Sequence, residues 1–81
     1  MKIRFSPKFE SSFRRLPKEI KDKFYKRAGF LRQDLKHPSL RAKKYDETRD
    51  IWQARVDKSY RFYFLISGDT YILLDIKAHP K

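Results

Sequence analysis

The feature that most constrains the fold is a series of three aromatic and β-branched segments in the second half of the chain. These segments are Ile51–Val56, Tyr60–Ser67 and Tyr71–Lys77, and the short polar stretches Asp57–Ser59 and Gly68–Thr70 separate them. Alternation of apolar and polar residues between turn-forming residues is typical of β-strands. Short connections that contain Asp, Ser or Gly favour hairpins. The pattern therefore predicts two consecutive antiparallel hairpins, each with a three-residue connection.

The first half of the chain predicts a further strand and two helices. Residues Lys2–Ser6 alternate polar and apolar side chains, as a short strand does. Ser6 and Pro7 suit the N-cap and the first position of a helix. Apolar residues then recur at helical spacing, as Phe9, Phe13 and Leu16 before Pro17 and as Ile20, Phe24, Ala28, Leu31 and Leu35 after it. Pro38 ends the second helix, and Leu40–Tyr45 is predicted to be an edge strand.

These elements predict an α+β fold with two N-terminal helices packed on one face of a largely antiparallel four-stranded sheet. A chain of 81 residues suits one domain, which we expect to span residues 1–81. Trp52 should oppose Phe64 across the first hairpin, and Phe64 should oppose Leu74 across the second. The predicted core side chains of the sheet are Trp52, Ala54, Val56, Phe62, Phe64, Ile66, Ile72, Leu74 and Ile76, and those of the helices are Phe9, Phe13, Phe24 and Leu31.

The charge balance indicates a polyanionic partner. The chain has 21 Lys and Arg residues against 10 Asp and Glu residues, which gives a net charge of +11. Such an excess favours nucleic acid, with an acidic protein or a membrane surface as alternatives. The absence of cysteine excludes disulfides and thiolate metal sites, and we expect no metal or other cofactor. No apolar run approaches the roughly 20 residues of a membrane span, so we expect a cytoplasmic protein without a membrane partner.

The strand register places cations in a row on the open face of the sheet, which is the face away from the helices. If core residues oppose core residues, Arg55 opposes Arg61 and Arg61 opposes Lys77. Like charges opposite each other destabilise a sheet, so the row favours an anion bound among them. As an alternative, Arg55 pairs with Asp57 or Glu47, Lys77 points to solvent, and Asp75 neutralises the row through Tyr63.

Other side chains near this row are candidates for binding RNA. Tyr63 and Tyr71 are predicted on the open face, where unstacked bases could lie on their rings, although tyrosine is also common in strands for its β-propensity. The cations of the edge-strand region are Arg41, Lys43 and Lys44. His79 lies just beyond the last strand, and imidazole is the side chain best suited to proton transfer near neutral pH.

The order of the elements, together with several local motifs, resembles the RelE/ParE superfamily of toxins from toxin–antitoxin systems. The motifs are His37-Pro38-Ser39-Leu40, Ile51-Trp52-Gln53-Ala54-Arg55-Val56, Tyr60-Arg61-Phe62-Tyr63-Phe64 and Lys77-Ala78-His79. The resemblance covers nearly the whole chain, and the most specific element is the arginine of the tyrosine–arginine strand, Arg61. One departure is Gln53, which stands where some members carry a lysine.

The resemblance implies a cytoplasmic toxin that a wrapping antitoxin neutralises and that cleaves messenger RNA on the ribosome without a metal. The positive charge of this chain predicts that the antitoxin is acidic. The residues implied for catalysis are Arg61, His79 and Arg55, and those expected to bind RNA are Lys77, Lys43, Lys44, Tyr63, Tyr71 and Arg41. The general base stays open between Glu47, Asp75 and Lys44.

Two other functions stay open. One is a ParE-like toxin that inhibits DNA gyrase through protein contacts and cleaves nothing. The other is a non-catalytic nucleic-acid-binding module in which Arg41, Lys43, Lys44 and Arg49 contact phosphates. The cationic row and His79 favour the nuclease.

Overall fold

In the computed structural model, which describes residues 1–79, two helices follow the first of five strands. The strands are β1 (Lys2–Phe5), β2 (Lys43–Asp46), β3 (Ile51–Arg55), β4 (Tyr60–Ser67) and β5 (Thr70–Ala78), and the helices are α1 (Pro7–Arg14) and α2 (Lys18–Gln33). The α+β class is confirmed. The last two residues of the predicted domain 1–81 lie outside the described part, and the assignment of a single domain stays a prediction. Within residues 1–79, neither helix is long and apolar enough to cross a membrane.

Within residues 1–79, the sheet contains five strands in the order β1–β5–β4–β3–β2. Each of the five predicted strand segments therefore contributes to it, and the predicted four-stranded sheet was one strand too small. The pairs β2–β3, β3–β4 and β4–β5 are antiparallel, as predicted, whereas β1 pairs with β5 in parallel. In that parallel pair Lys2 lies opposite Thr70 and Phe5 opposite Leu73. Because the partners are far apart in the sequence, no local pattern reveals this pairing.

The helices start where the sequence indicates. The Ser6 hydroxyl accepts a hydrogen bond from the Phe9 backbone N–H at 3.0 Å and donates one to the Leu74 carbonyl oxygen at 3.1 Å. Pro7 follows as the first helical residue. This cap stabilises α1 by about 1 kcal/mol, and it also fastens the start of α1 to strand β5.

Aromatic rings fill the space between the helices and the sheet. The ring centroid of Phe24 lies 5.2 Å from that of Phe9 and 5.4 Å from that of Phe62. Burial of each such ring contributes about 1.5–3 kcal/mol. Phe13 and Trp52, which were expected in the core, are partly buried and pack against it. Other fully buried members are Leu31, Leu40, Ala54, Val56, Phe64 and Ile76.

The connection between β4 and β5 is shorter than predicted. Ser67 pairs directly with Thr70, so the turn contains two residues, Gly68 and Asp69, instead of three. Gly68 has a φ of 58°, in the left-handed region that favours glycine. The shorter turn shifts the pairing of the half of the hairpin next to it, from Phe64–Leu73 to Ser67–Thr70, by one residue.

A β-bulge compensates for this shift and reverses the predicted faces of the first half of β5. Phe64 lies opposite Leu73 instead of Leu74. Tyr71 and Leu73 therefore turn toward the helices and are 3% and 0% exposed, while Ile72 and Leu74 are only partly buried. The prediction that Ile72 and Leu74 form the core was wrong, because strict alternation fails across a bulge. The prediction for Ile66 was wrong as well, because this residue lies next to the β4–β5 turn and is exposed.

Candidate anion-binding site

The three cations of the predicted row are neighbours in the sheet. Arg55 lies opposite Arg61 in the β3–β4 pair, and Arg61 lies opposite Lys77 in the β4–β5 pair. The predicted register of this row is confirmed. The register of the β4–β5 pair changes between Tyr63 and Phe64, and the Arg61–Lys77 pair lies on the side of this bulge away from the turn. Asp57 does not pair with Arg55, since its carboxylate lies 3.2 Å from Lys23 Nζ instead.

A cavity of about 320 Å³ opens beside this row, and we call it the basic cavity. Its lining residues are Arg41, Lys43, Gln53, Arg55, Arg61 and His79. These side chains come from the residue before Ala42, from strands β2, β3 and β4, and from the residue after β5. No carboxylate from residues 1–79 lines it, so the cavity suits an anion.

Arg61 is buried at this site, with an exposed fraction of 6%. Its Nη1 donates to the carbonyl oxygens of Asp57 at 2.6 Å, Tyr60 at 3.0 Å and Lys58 at 3.3 Å. The β3–β4 turn therefore holds the guanidinium in place. All three bonds use Nη1, so, as far as residues 1–79 are concerned, the N–H groups of Nε and Nη2 are left for another acceptor, such as a phosphate oxygen.

Arg55 is partly buried next to other guanidinium groups. Burial lowers the pKa of Arg55, and the positive charges of Arg41 and Arg61 lower it further. Arginine stays protonated at neutral pH even so. The direction of the shift means that its positive charge is disfavoured by its surroundings, and a bound anion would relieve that cost.

Arg41, which lines the same cavity, has a strained backbone. Its φ of 46° lies in the left-handed region, which costs a residue other than glycine about 1–3 kcal/mol. The Leu40 carbonyl oxygen just before it accepts a hydrogen bond from the Arg55 backbone N–H at 2.8 Å. This contact fixes the chain that carries Arg41 against strand β3. Strained residues of this kind cluster at functional sites.

The aromatic ring exposed near the basic cavity is not one of the two predicted. Tyr63 is on the open face but only 6% exposed, because Tyr45 contacts it edge-on at 4.9 Å and Lys77 Nζ lies 5.3 Å from its ring centroid. Burial raises the pKa of the Tyr63 phenol, so it stays protonated. Tyr71 faces the helices, so its placement on the open face was wrong, as a result of the bulge. Tyr45 is 59% exposed and could stack on a base; its position two residues after Lys43 could have revealed it.

Lys44 lies away from the basic cavity. Its Nζ is 2.8 Å from Asp50 Oδ1 and 5.4 Å from the ring centroid of Trp52. The hydrogen bond to Asp50 outweighs burial and raises the pKa of Lys44. Lys44 therefore does not line the basic cavity beside Lys43, because adjacent residues of a strand point to opposite faces, and its contact with a phosphate stays a prediction. A raised pKa also makes Lys44 a poor general base.

The two carboxylates considered as general bases do not line the basic cavity either. Asp75 Oδ1 accepts hydrogen bonds from Ser12 Oγ at 2.7 Å and from the Ile76 backbone N–H at 2.9 Å, which joins α1 to β5. Glu47 lies in the β2–β3 connection, near enough to Lys44 to raise its pKa. Among residues 1–79, the imidazole that lines the cavity belongs to His79. Its backbone N–H donates to the Ser59 carbonyl oxygen at 2.6 Å.

At the level of sequence, no protein-family model and no curated protein matches the chain. Comparison with solved structures shows that the chain has the fold of the YoeB, ParE and RelE toxins of toxin–antitoxin systems, which confirms the resemblance at the level of fold.

Three of these structures illustrate the likeness. The YoeB/ParE toxin from Agrobacterium tumefaciens has a TM-score of 0.82 at 13% identity, over 99% of this chain and 100% of that one. The RelE–RelB complex from Pyrococcus horikoshii OT3 has a TM-score of 0.78 at 17% identity, over 95% and 92%. The RelB–RelE antitoxin–toxin complex from Methanococcus jannaschii has a TM-score of 0.77 at 18% identity, over 93% and 88%.

Proposed function

We propose that the chain is the toxin of a toxin–antitoxin pair and acts in the cytoplasm as an endoribonuclease that cleaves messenger RNA on the ribosome. The observation that carries this proposal is the basic cavity, which gathers four Arg and Lys side chains and His79 with no carboxylate from residues 1–79. The cavity lies on a fold shared with YoeB and RelE toxins. A site of this composition suits a phosphodiester better than a neutral or cationic substrate.

The proposed reaction uses the 2′-hydroxyl of the RNA as the nucleophile. Its oxygen attacks the neighbouring phosphorus, the bond from phosphorus to the 5′-oxygen breaks, and a 2′,3′-cyclic phosphate forms. Arg55 and Arg61 stabilise the charge that develops on the phosphoryl oxygens, and His79 gives its proton to the leaving 5′-oxygen. The side-chain cations supply the positive charge, so the scheme uses no metal.

The proton of the 2′-hydroxyl goes to water or to a group of the ribosome in this scheme. The side chains of the basic cavity are cationic, apart from Gln53 and His79, and the candidate carboxylates lie elsewhere. Much of the acceleration then comes from holding the RNA in line for attack, which the ribosome assists. Tyr45, two residues from Lys43, contributes a ring on which a base can stack.

The test is cleavage of a defined messenger RNA by the purified protein, with and without ribosomes, followed by mapping of the new 5′ ends. We expect cuts only with ribosomes. Arg55→Gln should lower the rate by about 10²–10³-fold, as the loss of one charge-stabilising donor does. Arg15→Gln is the matched control, because Arg15 is an exposed cation just after α1, and it should cleave at the wild-type rate.

Intact messenger RNA in the presence of ribosomes would contradict the nuclease proposal. Inhibition of gyrase is the second candidate function, because one of the similar structures carries the combined name YoeB/ParE and has the same fold. A DNA supercoiling assay with purified gyrase decides it. Loss of supercoiling activity together with intact messenger RNA would favour the gyrase inhibitor.

We also infer that an acidic antitoxin binds this chain. Antitoxins are present in the RelE–RelB complexes from P. horikoshii and M. jannaschii. In this chain Phe5 and Tyr25 are 45% and 60% exposed, and they line an apolar groove of about 280 Å³ between β1 and the helices. Arg14 lines this groove together with one carboxylate, Glu10, and Arg32 lines its continuation along α2. Exposed aromatic rings on a chain of net charge +11 suit an amphipathic acidic segment.

A further inference from the structure

A second cavity adjoins the basic cavity beyond the end of strand β3. Its volume is about 340 Å³, and its cationic walls are Arg27, Arg41, Arg55 and Lys58. Arg41 and Arg55 line both cavities. The two cavities therefore lie side by side, with this pair of guanidinium groups between them.

The one carboxylate that lines the second cavity, within residues 1–79, is already occupied by other partners. Asp57 Oδ1 accepts hydrogen bonds from the backbone N–H groups of Ser59 and Tyr60, both at 2.8 Å, and Oδ2 lies 3.2 Å from Lys23 Nζ. Burial would raise the pKa of Asp57, but these hydrogen bonds together outweigh it and lower the pKa. The second cavity therefore keeps its excess of positive charge.

The walls of the second cavity are held by hydrogen bonds. Arg27 of α2 donates from Nε to the Val56 carbonyl oxygen at 3.1 Å and from Nη1 to the Ser39 carbonyl oxygen at 3.0 Å. Arg27 thus joins the second helix, the loop before β2 and the end of β3. The Lys58 carbonyl oxygen accepts from Arg61 at 3.3 Å, so the turn that carries Lys58 is fixed to the basic cavity as well.

We propose that the second cavity binds a phosphate of the nucleotide next to the one cleaved. The single strand of RNA then runs from the basic cavity over Arg41 and Arg55 toward Lys58 and α2. This inference rests on the proposed function, because it needs RNA in the basic cavity. A single strand carries a phosphate at every nucleotide, and proteins follow it with a continuous basic groove. The exposed Lys58 side chain at the far end supplies the additional contact.

The test measures binding of a short 2′-O-methyl RNA, which lacks the nucleophilic hydroxyl and cannot be cut, by fluorescence anisotropy at several salt concentrations. For a single strand, the slope of log K against log salt changes by about 0.7 for each phosphate that the protein neutralises. We expect Lys58→Gln to make the slope shallower by about this amount. Lys36→Gln, which removes an exposed lysine outside both cavities, should leave the slope unchanged.

Cleavage on programmed ribosomes gives a second readout. Because the basic cavity is intact in Lys58→Gln, we expect a higher KM at an unchanged kcat. Competition by inorganic phosphate separates an RNA site from a site for a free anion. Displacement of the RNA should need a concentration of phosphate far above that of the RNA, and phosphate that competes as well as RNA would overturn the proposal.

The outcomes separate this inference from the proposed function. If Arg55→Gln weakens binding and Lys58→Gln binds like the wild type, the second cavity does not hold RNA and the proposed function stands. If neither substitution changes the affinity or its salt dependence, both proposals fail. A shallower slope that Lys36→Gln reproduces would reflect general charge and would overturn the second site alone.

Discussion

Arg61 affects the stability of the sheet in two opposite ways, and the sequence pattern indicates one of them. Cross-strand repulsion from Arg55 and Lys77 argues that its removal relieves the sheet. The structure shows a second, stabilising effect, because Arg61 Nη1 donates to three carbonyl oxygens of the β3–β4 turn. Hydrogen bonds from a charged donor contribute about 1.5–3 kcal/mol, which exceeds the effect of one like-charge pair.

We therefore expect Arg61→Ala to lower the free energy of unfolding by about 1–3 kcal/mol, besides abolishing cleavage. Urea denaturation followed by circular dichroism measures the change. Arg55→Ala is the comparison, since it removes a cation from the same row and no described side-chain hydrogen bond; its stability should equal or exceed that of the wild type. Equal stabilities for Arg61→Ala and the wild type would show that the turn does not depend on the guanidinium.

Whether the sequence placed a candidate residue on the correct face of the sheet depended on where that residue lies relative to the β-bulge. Register alone found Arg55 and Arg61, because the hairpin between them is regular. Tyr71 was assigned to the wrong face because it lies between the β4–β5 turn and the bulge, where the register is shifted by one residue. Lys43 and Lys44 could not both face the basic cavity, since neighbours in a strand alternate. Charge alone did not reveal which of the two does so.

Among the elements, the β3–β4 turn depends on one carboxylate. The backbone N–H groups of Ser59 and Tyr60 and the ammonium of Lys23 lower the pKa of Asp57 against the opposing effect of burial. A carboxyl group whose pKa is lower in the folded state stabilises the fold above its unfolded pKa, near 3.8. That contribution is lost as the pH falls through the lower, folded pKa.

Asp57→Asn should therefore lower the melting temperature at pH 7, and the difference from the wild type should shrink below about pH 4. Thermal melts between pH 2 and pH 7 give the comparison. Asp22→Asn is the matched control, because Asp22 is an exposed carboxylate on α2 with no described hydrogen bond or ion pair. A difference for Asp57→Asn that stays constant with pH would mean that its ionised form adds nothing to stability.

Helices and hairpins could be predicted because their signals are local, whereas the β-bulge and the β1–β5 pairing could not. The ring of Tyr71 contacts that of Phe64 edge-on at 5.6 Å and is almost completely buried. Burial of this ring and of Leu73 favours the bulged register over strict alternation. Such a preference depends on the helices across the core, so it is absent from the strand pattern itself.

At the scale of the whole molecule, the sheet separates two surfaces. The basic cavity takes its residues from β2, β3 and β4, from Arg41 before β2 and from His79, whereas the apolar groove lies at β1 and the helices. Strands β1 and β2 are the opposite edges of the sheet. An antitoxin segment in the groove would therefore leave the basic cavity open, unless a further part of the antitoxin reaches it.

Tyr25→Glu tests whether the groove is the place where the antitoxin docks. Tyr25 is 60% exposed, so the substitution should leave the fold and ribosome-dependent cleavage intact. It places a carboxylate among apolar rings and opposite an acidic partner, and removal of one aromatic anchor worth about 1.4–2 kcal/mol weakens binding at least tenfold.

The measurement is the affinity for the protein encoded beside this chain in its operon, by titration of the purified pair. Lys26→Glu is the matched control, because it makes a larger charge change at the next exposed residue, outside the groove. If charge alone attracts the antitoxin, Lys26→Glu should weaken binding at least as much as Tyr25→Glu, in proportion to the charge removed. If the aromatic groove holds the partner, Tyr25→Glu should be the weaker binder by a wide margin. Equal affinities of Tyr25→Glu and the wild type would show that the antitoxin binds elsewhere.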